Sequence, residues 1–167
     1  MSTLNGRPSH RFSAPRLVPM ALAILFLALV GTRSAHAQGK VAFGGASSAA
    51  LTANAVCPPS GGVCSSTTTA AVGQRVPFAM TLSNLYAFQA TAPATASTCS
   101  FVVKVSPGGT GAYASTALSC SITPTSKKTC ANTTSAVTVN PGDSIQVSFV
   151  EVGTCSGFIN FGFQGTY

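Results

Sequence analysis

Residues 117–150 read ALSCSITPTSKKTCANTTSAVTVNPGDSIQVSFV, and this stretch decides the fold. It holds three alternating runs: Leu118-Cys120-Ile122, Ala136-Val137-Thr138-Val139 and Ile145-Val147-Phe149. Cys120 and Cys130 bracket the first connection, and Asn140-Pro141-Gly142-Asp143 supplies the turn of the second. Alternation with period two, broken by turn chemistry, predicts antiparallel strands that cover a core with one face.

Working outward, the pattern repeats. On the C-terminal side, Cys155 to Phe163 reads as the last strand, with Ile159, Phe161 and Phe163 inward and Phe158 on the opposite face. On the N-terminal side, Cys99 to Val105 reads as a strand with its odd positions inward. The turn Pro107-Gly108-Gly109-Thr110-Gly111 leads from it into Tyr113 to Ile122. Residues 90–98 read as a loop. Before it, Phe78, Met80 and Leu82 alternate, and Leu85 with Tyr86-Ala87-Phe88 follows Ser83-Asn84, a break that suits a bulge or a turn. Residues 38–45 form a short first strand with Val41 and Phe43 on one face, ended by Gly44-Gly45. Residues 46–75 are rich in Ala, Ser, Thr and Gly and contain Cys57-Pro58-Pro59-Ser60-Gly61-Gly62-Val63-Cys64, a turn closed by its own cysteines. Nowhere after residue 37 do apolar residues recur with helical spacing. Seven to ten short strands with frequent turns predict an all-β, antiparallel sandwich or jelly roll.

Residues 1–37 stand apart. Arg7, Arg11 and Arg16 precede the apolar run Leu17 to Gly31, and Ser34-Ala35-His36-Ala37 ends in a small-x-small pattern. That is the layout of a cleavable signal peptide, and fifteen apolar residues are fewer than the roughly twenty that span a bilayer. Cleavage leaves residues 38–167 as one domain: 38–75 supply the first strand and the stapled loop, and 76–167 the core of the sandwich. The expected location is secreted or periplasmic, with no membrane attachment after cleavage. The formal charge of +7 falls to +3, because four of the nine basic residues leave with the leader. A field that weak gives no argument for nucleic acid, which is not expected as a partner, and Lys127-Lys128 reads as a solvated loop tip.

All six cysteines follow residue 37. An even count behind an export signal predicts disulfides, each stabilising by roughly 3 kcal/mol. Cys57 with Cys64 and Cys120 with Cys130 bracket turn-rich segments, which leaves Cys99 with Cys155. Counting out from the turn at 107–111 also sets Cys99 nearly opposite Cys120, so a 99–120 bridge is the alternative. The spacings lack the close cysteine pairs that zinc uses.

The remaining chemistry is sparse. Both histidines, His10 and His36, belong to the leader, which excludes Ser-His-Asp and Cys-His sites from the exported part. Its side-chain carboxylates are Asp143 and Glu151 alone. On one extended strand, eight residues separate them by about 26 Å, far beyond the spacing of a glycosidase pair. Asp143 is expected to close the turn Pro141-Gly142-Asp143 by side-chain to backbone bonds. No catalytic residue, metal ligand or cofactor is expected. Asn132-Thr133-Thr134 matches a glycosylation triplet, which we attribute to chance. Of the eleven aromatics after residue 37, most are expected in the core. Phe158 is a candidate interface residue, and Tyr86, Tyr113 and Tyr167 are candidates for stacking on sugars.

Four segments together carry a family resemblance: Thr98-Cys99-Ser100-Phe101-Val102-Val103-Lys104, Leu118-Ser119-Cys120-Ser121-Ile122, Thr129-Cys130-Ala131-Asn132-Thr133-Thr134 and Val137-Thr138-Val139-Asn140-Pro141-Gly142-Asp143. Over about residues 76–153 the chain resembles the jelly-roll module of bacterial collagen-like surface proteins and phage tail fibres. That module is similar in fold to the trimeric heads of the tumour-necrosis-factor and complement type. The resemblance implies a homotrimer and no enzymatic residues, although this chain carries no Gly-X-Y tract. The expectation is a secreted, non-catalytic structural or surface-interaction module that associates with itself. A monomeric sandwich that binds carbohydrate or another cell-surface ligand is the alternative. Exported with its leader from a bacterial host, the protein should begin at Gln38 by N-terminal sequencing; a retained Leu17–Gly31 run would overturn the leader assignment.

Overall fold

Leu118, Cys120 and Ile122 are buried while their neighbours in sequence are not, and the same alternation puts Cys99, Phe101 and Val103 into the core. Burying each large apolar side chain stabilises by about 1.5–3 kcal/mol, enough to settle which face of a strand turns inward. The computed structural model describes residues 38–47, 50–51, 54–64, 73–124 and 128–167. The leader and Lys127 lie outside the described residues.

Ten strands are described: β1 (Lys40–Ala46), β2 (Ala55–Cys57), β3 (Ser60–Val63), β4 (Gln74–Arg75), β5 (Met80–Gln89), β6 (Thr98–Ser106), β7 (Ala114–Ile122), β8 (Thr129–Val139), β9 (Ser144–Val152) and β10 (Ile159–Thr166). One sheet runs β3-β1-β10-β5-β8. The other runs β2-β9-β6-β7, with β4 beside β2 along the edge of β9. The pairings show how the chain is wound. β6 and β7 form a hairpin, and β5 with β8, β4 with β9 and β1 with β10 pair in turn outside it. This long double strand is rolled so that β9 also meets β6 and β10 also meets β5. The wrap is a jelly roll closed over a core that includes Phe101 and Phe149, whose rings lie 5.4 Å apart.

Three disulfides pin it: Cys57–Cys64, Cys99–Cys155 and Cys120–Cys130. The alternative 99–120 bridge does not form. β6 and β7 shift register between Val102 and Lys104, so Cys99 faces Ile122 and Cys120 faces Phe101.

Four further details correct the reading of the sequence. Gly44-Gly45 does not end β1, which runs on to Ala46; Gly45 faces inward, and the Phe161 ring fills the space where a Cβ would stand. Phe78 precedes β5 and is exposed against Tyr167 instead of continuing the alternation of Met80 and Leu82. The pairing of β1 with β3 is parallel, in an otherwise antiparallel sandwich. The last strand begins at Ile159, after Phe158, and its outward face carries Asn160, Gly162, Gln164 and Thr166, so apolar residues occupy only one face of β10.

The break in alternation at Ser83-Asn84 is a bulge. Gly162 pairs with Tyr86 and Gln164 with Ser83, so β5 spends one residue more than β10 between the two pairs. Asn84 absorbs it with a φ of 56°, and its Nδ2 donates to Gln164 Oε1 at 3.3 Å. Before the bulge the even residues Met80 and Leu82 point inward; after it the odd residues Leu85, Ala87 and Gln89 do. Tyr86 and Phe88 are thereby turned outward. A β-branched side chain is disfavoured at that φ while glycine is not. Asn84→Val should lower unfolding stability by about 1–2 kcal/mol in urea, and Asn84→Gly should stay close to the parent; equal losses would show that the backbone at 84 is unstrained.

Candidate functional site

Residues singled out in the sequence fall in two separate places, the second of which also includes Phe88. The first is the turn Asn140-Pro141-Gly142-Asp143. Gly142 adopts a φ of 88°, and Asp143 N–H donates to Asn140 O at 3.1 Å. Asp143 is buried and its carboxylate does more than close this turn. Oδ2 accepts from Asn140 N–H at 2.8 Å, and Oδ1 accepts from Gly108 N–H at 2.9 Å, in the 3-10 turn Pro107–Gly109 between β6 and β7. Arg75 spans the same gap, its Nη1 donating to Gly142 O at 3.2 Å and Gly108 O at 3.4 Å. Asp143 therefore ties the β8–β9 turn to the β6–β7 turn at one end of the sandwich. Glu151 lies near the far end of β9.

The second group is aromatic. Tyr86 is 57 % exposed, Phe88 43 % and Phe158 53 %. Tyr86 and Phe88 project from the outer face of the β3-β1-β10-β5-β8 sheet. Cross-strand register sets Tyr86 in the row Gly44–Gly162–Tyr86–Ala131, and Phe88 in the row Ala46–Asn160–Phe88–Thr129. Phe158 adjoins the second row, since its C=O accepts from Ala90 N–H at 2.8 Å. None of these positions is charged; Lys40 lies at the end of β1 and Lys128 just before β8. Two shallow depressions flank the Tyr86 ring. One, of about 290 Å³, reaches Phe88, Thr129 and Asn160; the other, of about 210 Å³, reaches Ala42, Asn84 and Gln164; Gly162 floors both. A Cβ at Gly162 would meet Phe43 O at 3.4 Å, an ordinary contact. The fold itself thus has room for a side chain there, and glycine keeps the face open beside Tyr86.

The other residues marked in the sequence fall as follows. Tyr167 is exposed and leans on Phe78, their ring centres 4.5 Å apart. Tyr113 is half-buried, its hydroxyl 2.8 Å from Ser144 Oγ, and so belongs to the packing of a strand end. Asn132, of the glycosylation triplet, has its Nδ2 committed to Ala117 O, Ser119 O and Ser135 Oγ at 2.9–3.1 Å, where β8 meets the edge of β7. The alternating pattern read from Phe78 hid Phe88 from the sequence reading, and the spacing of Leu82 and Leu85 was the signal that reveals it. Among the described residues, no helix is long and apolar enough to cross a membrane and no group of three or more His, Cys, Asp or Glu gathers as metal ligands. The three disulfides are consistent with an extracellular or otherwise oxidising compartment.

No protein-family model matches the chain, and no curated protein matches it.

The two backbone N–H groups, Asn140 first and Gly108 second, hold the Asp143 carboxyl below its ordinary value of 3.8, against a smaller opposing effect of desolvation. The native state then binds a proton less readily than the unfolded chain. Its contribution is fully present above the unfolded pKa and is lost as pH falls through the folded one. Asp143→Asn should be less stable than the parent at pH 7, and the two denaturation curves should converge below about pH 4. A gap unchanged down to pH 2 would assign the loss to shape and not to charge.

Proposed function

We propose that this chain is an exported, non-catalytic module that assembles with copies of itself through the outer face of the β3-β1-β10-β5-β8 sheet. The observation that carries this reading is the exposed set Tyr86, Phe88 and Phe158 on a surface of glycine, alanine, threonine and amide side chains. Exposed aromatics gathered on one patch mark interaction surfaces, and the cores of such surfaces are depleted in charge and enriched in Tyr and Phe. Identical copies of a charged face would repel, whereas the rows Gly44–Gly162–Tyr86–Ala131 and Ala46–Asn160–Phe88–Thr129 carry no charged side chain. Tyr86 and Phe88 supply anchors, and the depressions over Gly162 supply space for a partner's side chains. The stoichiometry of three follows the resemblance to trimeric jelly-roll heads. The absence of histidine after residue 37 and the separation of Asp143 from Glu151 support a role without catalysis.

A second reading has its own support. Asn84, Asn160 and Gln164 lie around the Tyr86 ring, and amides beside an exposed aromatic suit a neutral saccharide. Light scattering on a sizing column separates the two. The oxidised protein 38–167 should elute at three times its chain mass, and Tyr86→Ala with Phe88→Ala should weaken association at least 30-fold, as for an anchor of about 2 kcal/mol. Gly162→Val should unfold at the same denaturant concentration as the parent, or a higher one, yet associate poorly. A monomeric parent at micromolar concentration would overturn self-assembly and make binding to neutral glycans the measurement to follow.

A further inference from the structure

Cys120 and Cys130 join β7, at the end of one sheet, to β8, at the end of the other. The bond closes one side of the sandwich, and the Asn132 amide bridges the same seam to the carbonyls of Ala117 and Ser119. β8 also borders the aromatic face, since Thr129 pairs with Phe88 and Ala131 with Tyr86 on either side of Cys130. Among the six cysteines, five are buried and Cys130 alone is half-buried. It borders a groove of about 640 Å³ together with Tyr86, Ser121, Thr123, Thr129 and Ala131. A small thiol can therefore reach Cys130, while the four cysteines of Cys57–Cys64 and Cys99–Cys155 are buried among the described residues.

We propose that the Cys120–Cys130 bond is a redox latch on the self-assembly face: an external dithiol opens it selectively, and opening it releases the assembly. This rests on the reading that copies meet around Tyr86. One thiolate of the dithiol attacks Sγ of Cys130, the S–S bond breaks, and Cys120 leaves as a thiolate that takes up a proton. The dithiol's second thiolate then displaces Cys130 from the mixed disulfide. The dithiol is oxidised to its own disulfide, and the protein gains two electrons and two protons as two thiols. β8 then keeps its ladder to β5 but loses its covalent tie to β7, which frees the end of the strand that walls Tyr86 and Phe88. The coupling runs both ways: because reduction weakens assembly, assembly disfavours reduction to the same extent, and the dithiol concentration that opens the bond rises with protein concentration.

The test titrates the full oxidised protein with dithiothreitol, blocks free thiols with iodoacetamide, maps them by peptide mass, and records light scattering and circular dichroism on the same samples. Cys120 and Cys130 should become alkylated at concentrations at least tenfold below those that open the other bridges, while the mass falls to that of one chain and the β spectrum persists. The variant with Cys120→Ser and Cys130→Ser should fold and remain monomeric with or without reductant. The latch is overturned if another bridge opens first or at the same concentration, if assembly survives alkylation of both cysteines, or if the double variant assembles like the parent. A parent that is monomeric while oxidised sinks the assembly reading and the latch together. One that assembles and ignores reduction sinks the latch alone.

Discussion

The extra residue at Asn84 is the constraint on which the surface of this molecule depends. A strand has a side-chain period of two, so one inserted residue exchanges its faces from that point onward. β5 enters with Met80 and Leu82 in the core and leaves with Leu85 and Ala87 there. Both halves satisfy the same apolar core, and the residue of β5 that adopts a positive φ is an asparagine, which tolerates it better than most. The consequence is local in sequence and large in effect. Tyr86 and Phe88 stand outside, on a sheet whose neighbouring strands contribute Gly44, Gly162 and Ala131 at the same level.

Around that face the sandwich is held shut by unlike devices at different places. The end with the β6–β7 and β8–β9 turns depends on one carboxylate that accepts a backbone N–H from each. The seam between β7 and β8 depends on a disulfide and a side-chain amide. Cys99–Cys155 joins positions 56 residues apart and ties the start of β6 to the segment that leads into β10. A domain with so few charged residues cannot rely on ion pairs, so covalent links and backbone hydrogen bonds carry the closure. The same scarcity of charge leaves the row Gly44–Gly162–Tyr86–Ala131 without a charged side chain.

Much of this was legible beforehand, for physical reasons that differ from residue to residue. β6, β7 and β9 were legible because Cys99–Val105, Leu118–Ile122 and Ile145–Phe149 alternate and the turns that border them carry glycine and proline; β8 was legible only over Ala136–Val139, because its alternation slips at Thr133-Thr134 and hides the half that begins at Thr129. The outward position of Phe158 could be read from its parity with Ile159 and Phe161, and its exposure agrees with that parity. Phe88 could not be read the same way, because its parity depends on where the bulge falls between Leu82 and Leu85. The polar outer face of β10 is hidden in the sequence because the alternation continues back through Phe158, whereas the strand begins at Ile159.

Composition and local pattern were sufficient for the all-β class, the turn at Asn140–Asp143 and the pairing of Cys57 with Cys64, since those depend on neighbours within about ten residues. The choice between Cys155 and Cys120 as partner of Cys99 was made by the register of β6 on β7, which shifts at Val102. The second hydrogen bond to Asp143 was made by a turn 35 residues away. The gathering of Tyr86 and Phe88 over Gly162 was made by the pairing of β5 with β10, strands far apart in the chain. Short-range chemistry is written in adjacent residues; which distant strands lie side by side, and in what register, is settled only when both sheets close on a shared core.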